Sequence, residues 1–200
     1  LGDIPFRTVY LHGMVRDSKG RKMSKSLDNT IDPLDLIEKY GADAVRLSLL
    51  IGAPAGNDIN LSEDKARGYK HFANKIWNAA RFVLLNAENI SLDTKPALTE
   101  KDTRTLAELD TLIVEITADM EAYRLHLASE KLYHYFWHTF ADVIIEQIKP
   151  RLKTPADEQD KISAQYMLMR IFTSCIIMLH PFVPFVTEAV WSMIPCTSNL

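Results

Sequence analysis

From Ser62 onward the chain repeats apolar residues at three- and four-residue intervals, the period of helices that bury one face. Tyr69, Phe72, Ala73, Ile76, Trp77, Ala80, Val83 and Leu84 form the first stripe. Ser62 stands before it as a cap, and Glu63 and Asp64 place negative charge at the positive end of the helix dipole. Residues 86–98, with Asn86, Asn89, Asp93 and Pro96, read as a loop. Thr99 to Asp102 reads as a capping box, and Leu106, Leu109, Ile113, Ile116 and Met120 follow on one face. A third helix is expected from about Leu127 to Ile148, stopped by Lys149-Pro150. A fourth should start near Asp157 and end before Pro181, and a short apolar helix containing Trp191 closes the series.

The first sixty residues have a different pattern. Residues 1–16 read as extended, and Thr8-Val9-Tyr10-Leu11 is β-rich. The turn cluster Asp17-Ser18-Lys19-Gly20 predicts a hairpin-like return before Lys22. Asp32-Pro33 starts a helix that Gly41 stops; residues 42–51 form another, and residues 52–58 an irregular connector. One strand-turn unit and two helices cannot close a sheet-based core. The expected fold class is therefore mainly α: an antiparallel helical bundle over 63–200, preceded by a small α/β remnant over 1–62.

Apolar residues make up 47% and charged residues 24%, the balance of an ordinary globular protein. The net charge of −3 excludes a basic nucleic-acid coat, so any RNA contact must come from local patches. Cys175 and Cys196 make no disulfide framework, and reduced thiols in a cytoplasmic setting are expected. The longest unbroken apolar run, Cys175 to Leu179, is too short to span a bilayer, so no membrane partner is expected.

Charge is nevertheless concentrated in two places. Arg16, Lys19, Arg21, Lys22 and Lys25 crowd together against one acid, Asp17. Within Gly20-Arg21-Lys22-Met23-Ser24-Lys25-Ser26-Leu27-Asp28-Asn29, two lysines three apart have serines beside them. Such a loop can aim ammonium groups and N–H or O–H donors at a polyphosphate whose charge grows in a transition state. A solvated basic turn is the plainer alternative. The second place is Arg67, His71, Asn74, Asn78 and Arg81, a polar stripe opposite the apolar face of its helix. It suits phosphate and ribose contacts, or is a solvated face. Tyr133, Phe136, Trp137 and Phe140 have the spacing of core residues, better suited to packing than to base stacking, and with Trp77 they are expected to be buried. His134 and His138 lack the further ligands that a metal site needs, so no metal is assigned.

Lys22 to Ser26 spell the second signature of class I aminoacyl-tRNA synthetases. Around it stand Val9 to Asp17, Ile31 to Arg46, Phe72 to Phe82 and His180 to Glu188, and together these segments resemble the valyl/isoleucyl/leucyl subgroup, the valine branch most of all. The resemblance implies that residues 1–62 end a Rossmann-type catalytic domain and that the rest is an anticodon-binding helical domain. It implies ATP-dependent attachment of an amino acid to tRNA through an aminoacyl-adenylate. Lys22 and Lys25 would be catalytic, and His12, Gly13, Lys22, Met23, Ser24, Lys25 and Ser26 would bind ATP, with Mg2+ accompanying the nucleotide. Arg67, His71, Asn74, Asn78 and Arg81 would meet tRNA, and a cytoplasmic monomer is expected. The His-Ile-Gly-His signature is absent from this chain, and the resemblance places the amino-acid pocket in the upstream half; the chain alone should form no adenylate. Three positions depart from the family pattern: Asp28 stands where glycine is usual, and Val143 and Ile144 replace aromatics. Glycine at position 28 would imply a left-handed backbone. Two other readings are an isoleucine or leucine enzyme of the same subgroup, and a non-catalytic tRNA-binding or assembly module that keeps the loop as a relic.

Overall fold

The computed structural model describes residues 2–87 and 90–194. Asn89, Cys196 and the outer ends of the two expected units, Leu1 and Leu200, lie outside the described residues. The chain is mainly helical, with a two-stranded open sheet near its start.

Strand β1, Val15–Arg16, pairs in parallel with β2, Ile59–Asn60, with Val15 opposite Ile59 and Arg16 opposite Asn60. Between them run a basic loop, α1 (Pro33–Tyr40) and α2 (Ala42–Leu50). The expected return before Lys22 is present as an antiparallel bridge from Arg16 to Lys22. The β-rich Thr8–Leu11 forms no strand: Val9 and Leu11 are exposed, and no described strand lies beside them to take up their backbone groups. The connector after residue 52 is irregular as expected, but it delivers Ile59 and Asn60 to a pairing that two residues of sequence could not announce.

Helices α3 (Glu63–Ala87), α4 (Glu100–Glu121), α5 (Leu125–His134), α6 (Ile145–Lys153), α7 (Glu158–Leu179) and α8 (Pro184–Trp191) build the bundle. The predicted caps stand at the starts of α1, α3, α4 and α7. The Asp32 side chain accepts from Leu34 N, Thr99 and Asp102 cap reciprocally, and Asp157 accepts from Asp160 N. The Ser62 hydroxyl accepts from Lys65 N at 3.2 Å.

Three expectations are corrected. Trp77 is 40% exposed and Trp137 only half-buried, whereas Phe136 and Phe140 are fully buried. At 3.6 residues per turn Trp77 lies roughly 110° around α3 from the row Phe72–Ile76–Val83, on the flank of the core arc. The third helix does not stop at Lys149-Pro150. It runs unbroken from α5 through a π-helical stretch, Tyr135–Ile144, into α6 and on to Lys153. Pro150 removes one ladder hydrogen bond. The next residue, Arg151, fixes the turn from outside by gripping Asp102 at 2.8 and 3.0 Å, Asp160 at 2.7 Å and Ser163 at 2.7 Å. Finally, α7 is long and apolar enough by composition to cross a membrane, although its unbroken apolar run is short. Its position explains the composition: 67% of that stretch is buried, because α7 is the central helix of the bundle.

The main core joins Phe72, Ile76 and Val83 of α3 to Leu109, Leu132, Phe136, Phe140, Leu168 and Phe172, and also takes in Leu47 and Ile51 from the α2 region. A smaller cluster of Leu36, Val45, Leu61 and Ala66 lies under the basic loop, with Val15, Met23, Ile31 and Tyr40 around it. Helix α2 therefore contributes to both cores.

Arg151→Met should cost about 3 kcal/mol of stability, because it leaves the buried Asp102 carboxylate without its ion pair. A shift in the urea unfolding midpoint at unchanged slope would show this; a midpoint equal to that of the parent would mean the grip is dispensable.

Candidate functional site

The basic loop owes its shape to two residues at its ends. The Asp17 carboxylate accepts from Lys19 N at 3.0 Å, from Arg21 N at 2.9 Å and from Arg21 Nε at 2.8 Å. The Asn29 amide Nδ2 donates to Asp17 at 3.0 Å and to the Lys22 carbonyl at 3.2 Å, while its Oδ1 accepts from Ser24 N at 2.9 Å. The loop is thus closed across its base. Lys25–Leu27 form one 3-10 turn, ended by Asp28 at φ 48° and ψ 36°. That is the left-handed backbone which a glycine-preferring position implies, here adopted by aspartate. Half-buried Met23 packs against the small cluster and holds the loop from below.

This brace sorts the five basic residues. Arg16 is paired with Asp58, and Arg21 with Asp17. Lys19, Lys22 and Lys25 are exposed, and none has an ion pair among the described residues; Lys19 lies on the turn at the base of the loop, where its backbone N–H bonds Asp17. The Ser24 and Ser26 hydroxyls lie 3.2 Å apart beside Lys22 and Lys25. The two lysines singled out from the sequence are therefore uncommitted charges on a folded loop.

His12 and Gly13 lie elsewhere. His12 is exposed, its Nδ1 2.9 Å from the Gly13 carbonyl. Together with Tyr10, Leu49, Leu50 and Pro54 they line a cavity of about 280 Å³ that none of Lys22 to Ser26 enters. Gly13 is needed by the fold itself: a Cβ there would stand 1.9 Å from the Asn57 carbonyl oxygen. That contact by itself requires glycine at this position.

The α3 stripe is present as expected. Arg67, His71, Asn74, Asn78 and Arg81 are all exposed and face away from the core row. Its members are not equivalent. Arg67 is held by Asp64 at 2.9 Å and lies over the Tyr40 ring at 5.9 Å, whereas no ion pair is present at Arg81 among the described residues. Beside the stripe, Lys75 bonds Asp142 at 2.6 Å and lies over Trp137 at 5.6 Å. Phe72, Tyr133, Phe136 and Trp137 form a ring cluster with centroids 4.8 to 6.0 Å apart, which makes most of that aromatic row a packing feature. Among the described residues no group of three His, Cys, Asp or Glu could hold a metal ion.

Sequence reading missed the residues that support these groups. Asn29 and Asp17 could have been noticed as polar residues flanking the loop. Asp58 carries no local signal, because its partners Met14 and Arg16 lie more than forty positions away.

Residues 1–62 match the family model described as "tRNA synthetases class I (I, L, M and V)", and residues 102–199 the model "Anticodon-binding domain of tRNA ligase". Over 200 residues the chain is 42% identical to a valine--tRNA ligase of Nitratidesulfovibrio vulgaris, and over 200 residues 44% identical to one of Petrotoga mobilis. Each match covers 98% of this chain and 22% of the relative, so the chain spans about a fifth of the length of these proteins. Among solved structures, the LeuRS–tRNA–LeuAMS ternary complex of Agrobacterium radiobacter K84 matches 94% of this chain and 22% of that one, with a TM-score of 0.70 at 24% identity. The Mycobacterium tuberculosis methionyl-tRNA synthetase bound to methionyl-adenylate matches 90% of this chain and 36% of that one, with a TM-score of 0.72 at 24% identity. Both show a shared fold.

The Asn29 amide first, then the Arg21 and Lys19 groups, hold the Asp17 carboxyl well below the usual carboxylate range, against the opposing effect of burial. A lowered folded-state pKa means that this brace stabilises the fold above the unfolded carboxylate pKa, and that the contribution fades only as pH falls through the lower folded value. Carbon NMR of the Asp17 carboxyl should therefore show no titration between pH 7 and the unfolded value of about 3.9. In Asn29→Ala the midpoint should rise towards that value; an unmoved midpoint would remove Asn29 from the brace.

Proposed function

Since the chain joins the end of a class I aminoacyl-tRNA synthetase catalytic domain to an anticodon-binding bundle, we propose that it is part of a valine--tRNA ligase, divided functionally at residues 62 and 63. The full-length protein would use ATP, accompanied by Mg2+, to activate valine and transfer it to tRNA. It would do so as a cytoplasmic monomer, with the amino-acid pocket outside this chain. The observation that carries this reading is the sorting of charge on the loop. Carboxylates occupy Arg16 and Arg21, while Lys22 and Lys25 stay uncommitted on a braced turn.

In this reading Lys22 and Lys25 meet the phosphates as pyrophosphate leaves. Ammonium groups on flexible stems follow the growing charge, and Ser24, Ser26 and the loop amides orient the nucleotide. Met23 anchors the loop through the small cluster. His12 and Gly13 remain candidates for the edge of the nucleotide site, separated from the lysines in this arrangement. The α3 stripe supplies the RNA face. Arg81 brings to it a charge with no ion pair among the described residues, and Arg67 one that must first be shared with Asp64 and Tyr40.

In the full-length protein, Lys25→Ala should lower the rate of valine-dependent ATP–pyrophosphate exchange by a hundred- to a thousandfold, about 3–4 kcal/mol, with little change in KM for valine. Turnover equal to wild type would support the relic reading. A salt series of tRNA binding by fluorescence anisotropy tests the stripe. Arg81→Ala should reduce the slope of log K against log salt by about one, and Arg67→Ala by less. Equal, unchanged slopes would make the stripe a solvated face.

A further inference from the structure

The α2 helix reaches the far end of the bundle through two side chains one turn apart. Asp43, buried in its first turn, accepts from Phe185 N at 3.2 Å through Oδ1 and from Val186 N at 2.7 Å through Oδ2. These amides belong to the first turn of α8, whose own N-cap, Val183, has no side-chain acceptor. Arg46 donates from Nη2 to the Pro181 carbonyl at 2.9 Å and from Nε to the Phe182 carbonyl at 3.2 Å, at the corner where α7 has just ended. One turn of α2 thus satisfies donors at the start of one bundle helix and acceptors at the end of another. Inside the corner, His180 Nδ1 lies 2.9 Å from Thr187 Oγ1 and makes it a closed unit.

The other polar ties between the α1–α2 layer and the bundle all gather on the first two turns of α3. Lys39 and Tyr40 bond Glu63, Lys65 bonds the Ile51 carbonyl, and Lys70 bonds the Lys39 carbonyl. These attachments lie close together on one helix. The Asp43–Arg46 clamp adds a polar tie at the α7–α8 corner, and together with Leu47 and Ile51 packed in the bundle core it fixes the orientation of the layer. The basic loop enters α1 directly after Asn29, with Ile31 packed on the small cluster, so the loop's place relative to the bundle follows that of this layer.

We propose that Asp43 and Arg46 are positioning residues that hold the phosphate-binding loop in register with the tRNA-binding bundle. The proposal rests on the functional reading above. Amino-acid activation needs the loop, ATP and the amino acid. Charging also needs tRNA held by the bundle with its acceptor end at the site, so register matters to charging alone. Small misplacements of a reacting group are costly in rate.

The test uses the full-length protein and the variants Arg46→Ala, Arg46→Lys and Asp43→Asn. Two reactions are measured, valine-dependent ATP–pyrophosphate exchange without tRNA and steady-state charging of tRNA, with thermal melting as the folding control. Arg46→Ala should keep exchange within about twofold of wild type and lose about tenfold or more in kcat/KM for tRNA. Arg46→Lys, whose ammonium can reach one of the two carbonyls, should recover part of that loss, and Asp43→Asn should fall between them. Charging unchanged in Arg46→Ala, or exchange and charging falling in parallel, would overturn the clamp while leaving the ligase reading intact. Wild-type protein inactive in exchange with every amino acid would overturn both.

Discussion

Two hydrophobic cores in this chain share one helix, and most of the architecture follows from that. Val45 of α2 belongs to the cluster beneath the basic loop, while Leu47 and the following Ile51 belong to the bundle core. A nine-residue helix with apolar side chains committed in two directions has little free surface. Its polar residues must therefore be satisfied internally, and they are. Ser48 donates to the Ala44 carbonyl at 2.7 Å, and Asp43 and Arg46 reach the α7–α8 corner. Burial lifts the Asp43 carboxyl above its ordinary value, although two amides and Arg46 favour its charge, so the contact brings a desolvation cost that well-placed donors offset. The junction between the two parts of the chain is thus a packed core and not a linker.

Local chemistry was legible in the sequence, and distant chemistry was not. Asp32-Pro33, Thr99 with Asp102, and Asp157 could be identified as helix starts because a cap is satisfied within three residues. The left-handed backbone at Asp28 was legible by another route, from the glycine usual at that position in the family the loop resembles. By contrast, the β2 strand depends on partners more than forty positions away, and Asp43 meets Phe185 across a separation of 142. Pro150 shows local preference overruled: a residue that ends isolated helices sits inside one whose next turn is gripped by Asp102, Asp160 and Ser163. Trp77 failed for a subtler reason, because a stripe drawn by residue type is wider than the arc the neighbouring helices cover.

The candidate site repeats that division. The string around Lys22 and Lys25 advertises its chemistry through residue type and spacing alone. What makes the lysines usable is the Asn29 amide, which bonds a carboxylate, a carbonyl and an amide of the same loop. An asparagine can do this because it carries both donors and an acceptor; aspartate there would bring a second negative charge against Asp17. The loop is therefore shaped by its own residues, and under the proposed function phosphate binding need not organise it from a coil.

The central position of α7 has a consequence for how such a chain comes into being. This helix contacts α3, α4, α5, α6 and α8, yet it is made after four of them, α3 to α6. Until it emerges, Phe72, Leu109 and Leu132 have no completed interior to enter. Synthesis at about 5–20 residues per second leaves those faces open for several seconds while the helices between them are made. The nascent helices α3 to α6 must then persist as a loose, collapsed assembly, and α7 closes it from the C-terminal side. The apolar composition that lets α7 serve as the central wedge also makes it a segment in need of rapid burial once released.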